Sequence, residues 1–135
     1  MRRLIPLTAG ALLATGAAFA QPPAETLRAM ELAVRSETPA FAGFSAQRGA
    51  AFFRAQHGSD WTCTTCHGAD PRGVGKHVVT GKTIEPLAPA VNAVRLSDPA
   101  KTEKWFRRNC NDVLKRECSA QEKGDVVAYL ISLAP

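Results

Sequence analysis

The sequence predicts an all-α domain, and three observations lead there. Helix-start signals recur along the chain, apolar residues follow them at helical spacing, and alternating strand-like runs are scarce. The 24–35 stretch places Leu27, Met30, Leu32 and Val34 at helical spacing, and Pro39 must end it. Ser45 is a capping residue for a helix running to about Gln56, with Gly49, Phe52 and Phe53 on a face able to pack closely and His57-Gly58 ending it. From Gly68 to Asn92, glycines and prolines punctuate the chain, and the stretch reads as an ordered loop. Ser97-Asp98-Pro99 starts a third long helix through Trp105, Phe106, Cys110, Val113 and Leu114. Ser119 to Glu122 matches a capping box, after which Val126, Val127, Tyr129, Leu130 and Leu133 form the apolar face of a terminal helix.

The N-terminus reads as an export signal. Arg2 and Arg3 precede an apolar run from Leu4 to Phe19, and Ala18-Phe19-Ala20 offers small residues where a signal peptidase reads, so cleavage is expected after Ala20. The run is short for a membrane span, although an uncleaved anchor is the alternative. The expected destination is the periplasm. Cleavage leaves 115 of the 135 residues, enough for one core. The expected organisation is a signal peptide over 1–20, an N-terminal helical segment over 21–44 and one domain over 45–135.

The precursor has 17 Lys plus Arg against 12 Asp plus Glu. Losing Arg2 and Arg3 leaves a mild basic excess, without the aromatic and basic stripe that a nucleic-acid surface needs. The cations Lys101, Lys104, Arg107, Arg108, Lys115 and Arg116 crowd the third helix, with Lys76 and Lys82 in the loop before it. They suit either an acidic protein partner or a merely solvated face.

After export, each of the four cysteines, 63, 66, 110 and 118, should be bonded. Spacing divides them into two pairs. Cys63-Thr64-Thr65-Cys66-His67 is C-x-x-C-H, the attachment signature of c-type haem. Two thiols three residues apart reach the two vinyl groups on one porphyrin edge, and the next side chain brings an imidazole to the iron. A zinc site is the poorer reading, because seven residues separate Cys110 from Cys118 where two to four are usual. A thioredoxin-like motif would need a βαβ setting. One covalent haem c, with Cys63 and Cys66 attached and His67 as ligand, is therefore expected. The Gly49–Phe53 pair in the first core helix and Tyr129 in the last suit the helix crossing of small haem c domains.

The sixth iron ligand is the open question. The chain has no methionine after Met30, which excludes the usual distal ligand and leaves His57, His77, a lysine, an amide side chain or water. Further runs of residues are informative: CTTCHGAD at 63–70, TGKTIEPLAP at 80–89, EKWFRRNC at 103–110 and RECSAQEKGDVVAYL at 116–130. From about Phe52 to Leu130 the chain resembles the SHP-type (sphaeroides haem protein) cytochromes c, high-spin cytochromes with a distal asparagine and a class I cytochrome c-like fold. The resemblance implies that Asn109 is the axial asparagine and that Cys110 and Cys118 form a disulfide. Trp105 lies one turn before Asn109 and shares its face. Pro86-Leu87 resembles the pair that accepts the proximal imidazole N–H and packs on the haem edge, orienting His67. The implied electron donors are a dihaem cytochrome c and a membrane cytochrome b.

A disulfide constrains the third helix. Eight residues of helix would part the two Cα atoms by about 12 Å, beyond the roughly 7 Å a disulfide bridges. The helix must end before Cys118. Three function classes follow: electron transfer with redox-gated binding of O2, NO or CO, a conventional six-coordinate carrier ligated by His77, and a small-molecule reductase.

Overall fold

A polar cap just ahead of the first turn, or a proline within it, is the local reason each of these helices begins where it does. The structure, a computed structural model, describes residues 21–135. The expected signal peptide and its cleavage after Ala20 lie outside the described residues. Helix α1 runs Pro23–Glu37 with Pro at its start, α2 Ala46–Arg54, α3 Cys63–His67, α4 Pro99–Leu114 and α5 Ala120–Ser132. The fold is all-α apart from one short antiparallel hairpin of β1 (Gly75–Lys76) and β2 (Thr83–Ile84), registered Gly75 to Ile84 and Lys76 to Thr83. That hairpin lies inside the segment expected to be loop. No helix among the described residues is long and apolar enough to cross a membrane.

The caps are those the sequence indicates. Ser45 Oγ accepts from the Arg48 amide, Asp98 from the Lys101 amide, and Ser119 and Glu122 close a reciprocal box. Helix α2 stops at Arg54, two residues short of expectation, because the His57 ring takes the Phe52 carbonyl at 2.7 Å and Ala55 turns extended. Helix α4 ends at Leu114, where Lys115 adopts a left-handed conformation with φ 58°. Cys110 and Cys118 are joined as a disulfide, with Cα atoms 5.6 Å apart. A loop this short contributes about 2.5 kcal/mol in the chain-entropy model.

The core lies where α2 crosses α5. Phe53, Val126, Tyr129 and Leu130 are buried there, and Ala50, Phe52, Cys63, Leu87, Leu96, Phe106 and Leu133 pack around them. Phe53 and Tyr129 rings lie 5.8 Å apart at a tilt. A second cluster of Cys110, Leu114 and Cys118 shares Phe52 and Phe106 with the first, so the disulfide end of α4 is part of the same interior.

One buried charge locks the crossing. Asp125 on α5 is 4% exposed, and its carboxylate accepts from the Ser45 amide at 2.7 Å, Arg48 Nε at 2.8 Å and Gln121 Nε2 at 2.9 Å. Nothing in the local pattern separates this aspartate from a solvated helix residue. The burial is tolerable because each carboxylate oxygen finds donors.

A second carboxylate sets an acid limit. Arg116 holds the Glu122 carboxyl well below the usual range, at about 2. A group depressed in the folded state stabilises above its unfolded pKa and loses that contribution as pH falls. Stability is therefore expected to decline from about pH 4.5 toward about 2, and Glu122→Gln to flatten that part of the curve in acid titrations followed by circular dichroism. The effect is modest because Arg116 is largely exposed.

Candidate haem site

The attachment motif is a single capped helical turn. Thr62 Oγ1 accepts from the Thr65 amide at 3.2 Å, and Thr65 Oγ1 accepts from the Thr62 amide at 2.9 Å. Gly68 ends the turn at φ 73°, donating to the Thr64 carbonyl at 2.9 Å. The threonines between the cysteines therefore do structural work. They hold Cys63, Cys66 and His67 at spacings of three and four, which share one helix face.

Each of the three side chains of the motif has a distinct environment. Cys63 is set against the core, and burial pushes its thiol up to about 11. Cys66 lies against the hairpin, its sulfur 3.5 Å from the Val78 amide. Gly75 is required there, since a β-carbon would collide with the Cys66 carbonyl and lie 3.0 Å from His67 Cα. His67 sits 6.1 Å from the Phe53 ring centre. Burial, then the nearby positive charges of Arg95 and His77, lower its pKa to about 4. It is thus a neutral imidazole at neutral pH, the form that donates a lone pair to a metal.

The surroundings fit a flat apolar group. Leu32 aside, the large apolar side chains that the described residues expose are Val74, Val78, Val79, Val91, Val94 and Trp105, all in the segments following the motif. Val74 and Val78 lie beside Cys66, and apolar side chains flanking two thiols and an imidazole match the donor set of a covalently held porphyrin.

The structure places the other expected residues unequally. Leu87 packs on the core beside Cys63. The Pro86 carbonyl accepts Arg95 Nε at 2.9 Å and Asn92 Nδ2 at 3.0 Å, while Arg95 Nη2 reaches the Glu85 carbonyl at 2.9 Å. These bonds brace the loop at Pro86. Arg95 and Asn92 were not legible as site residues, since their partners lie in a loop whose path is tertiary. Helix α4 reaches the core through Phe106, leaving Trp105 (42% exposed) and Asn109 on its exposed flank. Arg108 stacks over Trp105 at 5.6 Å. Neither Trp105 nor Asn109 makes a side-chain hydrogen bond to the motif.

The two rival histidines are tied to the backbone. His57 Nε2 donates to the Phe52 carbonyl at the end of α2. His77 Nδ1 accepts from the Val79 and Thr80 amides at 3.2 and 3.3 Å. Its Nδ1 is thereby occupied by the backbone of its own loop.

Comparison with known proteins accords with this arrangement. Residues 39–130 match a family model described as a domain of unknown function, DUF1924. Over 98 residues the chain is 46% identical to the cytochrome c-type protein SHP of Cereibacter sphaeroides, covering 70% of this chain and 75% of that protein. This chain belongs to the SHP-type cytochromes c. The cytochrome carries a covalently bound c-type haem. It also matches cytochrome c'' of Methylophilus methylotrophus at 45% identity over 80 residues, 59% of this chain and 56% of that one, so it spans little more than half of that relative's length. The structure of oxidised SHP, an oxygen-binding cytochrome c, superposes with a TM-score of 0.74 at 39% identity, covering 85% of this chain and all of that one. Oxidised cytochrome c'' gives 0.72 at 35%, over 84% and 95%.

Proposed function

We propose that this cytochrome is a periplasmic, monohaem electron-transfer protein whose Asn109 ligates the ferric iron, leaves on reduction, and so admits O2, NO or CO to the reduced protein. The observation that carries the reading is the state of the candidate ligands. The chain has no methionine beyond Met30, both rival histidines are committed to backbone groups, and Asn109 shares an exposed face of α4 with Trp105.

The haem supplies the redox centre and the open coordination position. The chain supplies the rest. An amide oxygen is a hard, weak donor that suits ferric iron better than ferrous, so Asn109 holds one redox state and releases the other. Trp105 edges the position that Asn109 leaves. The oxygen-binding description of the SHP relative supports gas binding here. Lys101, Lys104, Arg107 and Arg108 form no ion pair among the described residues, whereas Arg116 is paired to Glu122 and Lys123 to Glu103. The free four would steer an acidic redox partner, and the resemblance names a dihaem cytochrome c and a membrane cytochrome b as donors.

Optical spectra of both redox states test the ligand. The ferric spectrum is expected to be high-spin, to change in Asn109→Ala and to stay unchanged in His77→Ala, with CO taken up after reduction in all three proteins. A low-spin ferric spectrum altered only by His77→Ala would sink the reading in favour of a conventional six-coordinate carrier.

A further inference from the structure

Helix α4 is bracketed by strained backbone. Among the described residues two non-glycine positions have positive φ, Leu96 at 59° and Lys115 at 58°. One lies just before the Asp98 cap of α4 and the other is its C-cap. A branched residue such as Leu96 rarely holds this conformation unless its surroundings impose it.

Different devices hold the two ends. At the C-terminal end the Cys110–Cys118 disulfide is covalent, and Lys115 Nζ donates to the Asp112 carbonyl at 2.9 Å. At the N-terminal end the restraint comes from α1. Thr26 is 2% exposed and the one buried residue of that helix, and its hydroxyl donates to the Leu96 carbonyl at 2.8 Å. Beside it, the Gln21 amide donates to the Ser97 carbonyl at 2.8 Å. The side chain of Leu96 is anchored in the core. The segment containing α1 precedes residues 39–130, the extent of the family match.

We infer that α1 is a clamp on the Leu96 turn, and that Thr26 is a positioning residue that sets how readily Asn109 leaves the iron. The inference rests on Asn109 being the distal ligand. The clamp acts on release that moves the helix, and one end of α4 is pinned covalently beside Asn109 itself. The helix can therefore only swing about the disulfide. Resistance to that swing comes from the non-covalent end, where the buried Thr26 hydroxyl holds the carbonyl of Leu96 beside the Gln21–Ser97 bond. Removing that hydroxyl frees the Leu96 turn to relax and lowers the barrier to release.

The test is cyanide association with the ferric holoprotein, a process that must wait for Asn109 to leave. Thr26→Val keeps the shape and removes the donor, and the loss of one buried hydrogen bond is expected to speed association about tenfold. Thr26→Ser, which keeps the hydroxyl, should restore the wild-type rate. CO association with the reduced protein, from which Asn109 has already gone, should stay within about twofold in both variants. In an Asn109→Ala background, Thr26→Val should no longer change cyanide association. The clamp is overturned if Thr26→Val is silent while Asn109→Ala accelerates cyanide, or if Thr26→Val accelerates cyanide equally in both backgrounds. If Asn109→Ala alone changes neither the ferric spectrum nor the cyanide rate, the ligand reading falls and takes the clamp with it.

Discussion

A chain with both Cys63 and Cys66 replaced by alanine is expected to lose its haem entirely on denaturation, whereas the native protein keeps it through acid acetone extraction or a denaturing gel. The reason lies in how little of the domain the motif can draw on. Helix α3 has five residues, and none of them is fully buried. The hairpin beside it has two strands of two residues each. Elements of this length cannot enclose a porphyrin by packing alone, and His67 supplies a single bond to the metal. Two thioethers replace the missing enclosure. The single variants should divide the effect: Cys66→Ala keeps one link through the core-facing Cys63, and haem staining of the gel should persist with a haemochrome spectrum shifted by the remaining unsaturated substituent. Equal staining of the double variant and the native chain would refute covalent attachment at this motif.

Replacing Gly49 by alanine is expected to be the most destabilising single-methyl change in the domain. A β-carbon there would run into the Asp125 backbone carbonyl and lie 2.9 Å from Tyr129 Cβ. Backbone cannot step aside as a side chain can. Helices α2 and α5 would have to separate, opening the Phe53–Tyr129 contact and disturbing the donors around Asp125 together. We expect a cost of about 3 kcal/mol, the upper end of the usual overpacking range, and a fall in melting midpoint of roughly 15 °C for a domain of this size. Gly124 is the control. Its β-carbon would meet the outer edge of the Phe44 ring, which can rotate, so Gly124→Ala should cost about 1 kcal/mol. Thermal melts of the two variants showing equal losses would mean that the α2–α5 approach is not the limiting contact.

The site divides into parts that were legible in the sequence and parts that were not. The attachment turn was legible because its chemistry is local: five consecutive residues carry both thiols and the imidazole. Helix starts at Ser45, Asp98 and Ser119 were legible for the same reason, since a cap bonds to an amide two or three residues on. The hairpin at Gly75–Ile84 was not. Strands of two residues leave no alternation to detect, and their register follows from Gly75 fitting against α3. That Arg95, nine residues away, reaches the Pro86 carbonyl was not legible either. A long polar side chain can reach many carbonyls, and only the path of the loop selects one.

By itself the sequence determined the fold class, the haem attachment residues and the absence of a distal methionine, because each depends on residue identity or on spacing within a turn or two. Tertiary structure decided the rest. Only the folded chain buries Asp125 among donors from two segments and brings Thr26 to a carbonyl 70 residues away. Those relations join groups far apart in the chain, and no local propensity encodes which distant group will arrive. The cysteine pair and His67 are thus a property of the motif. Where α4 is held is a property of the whole fold.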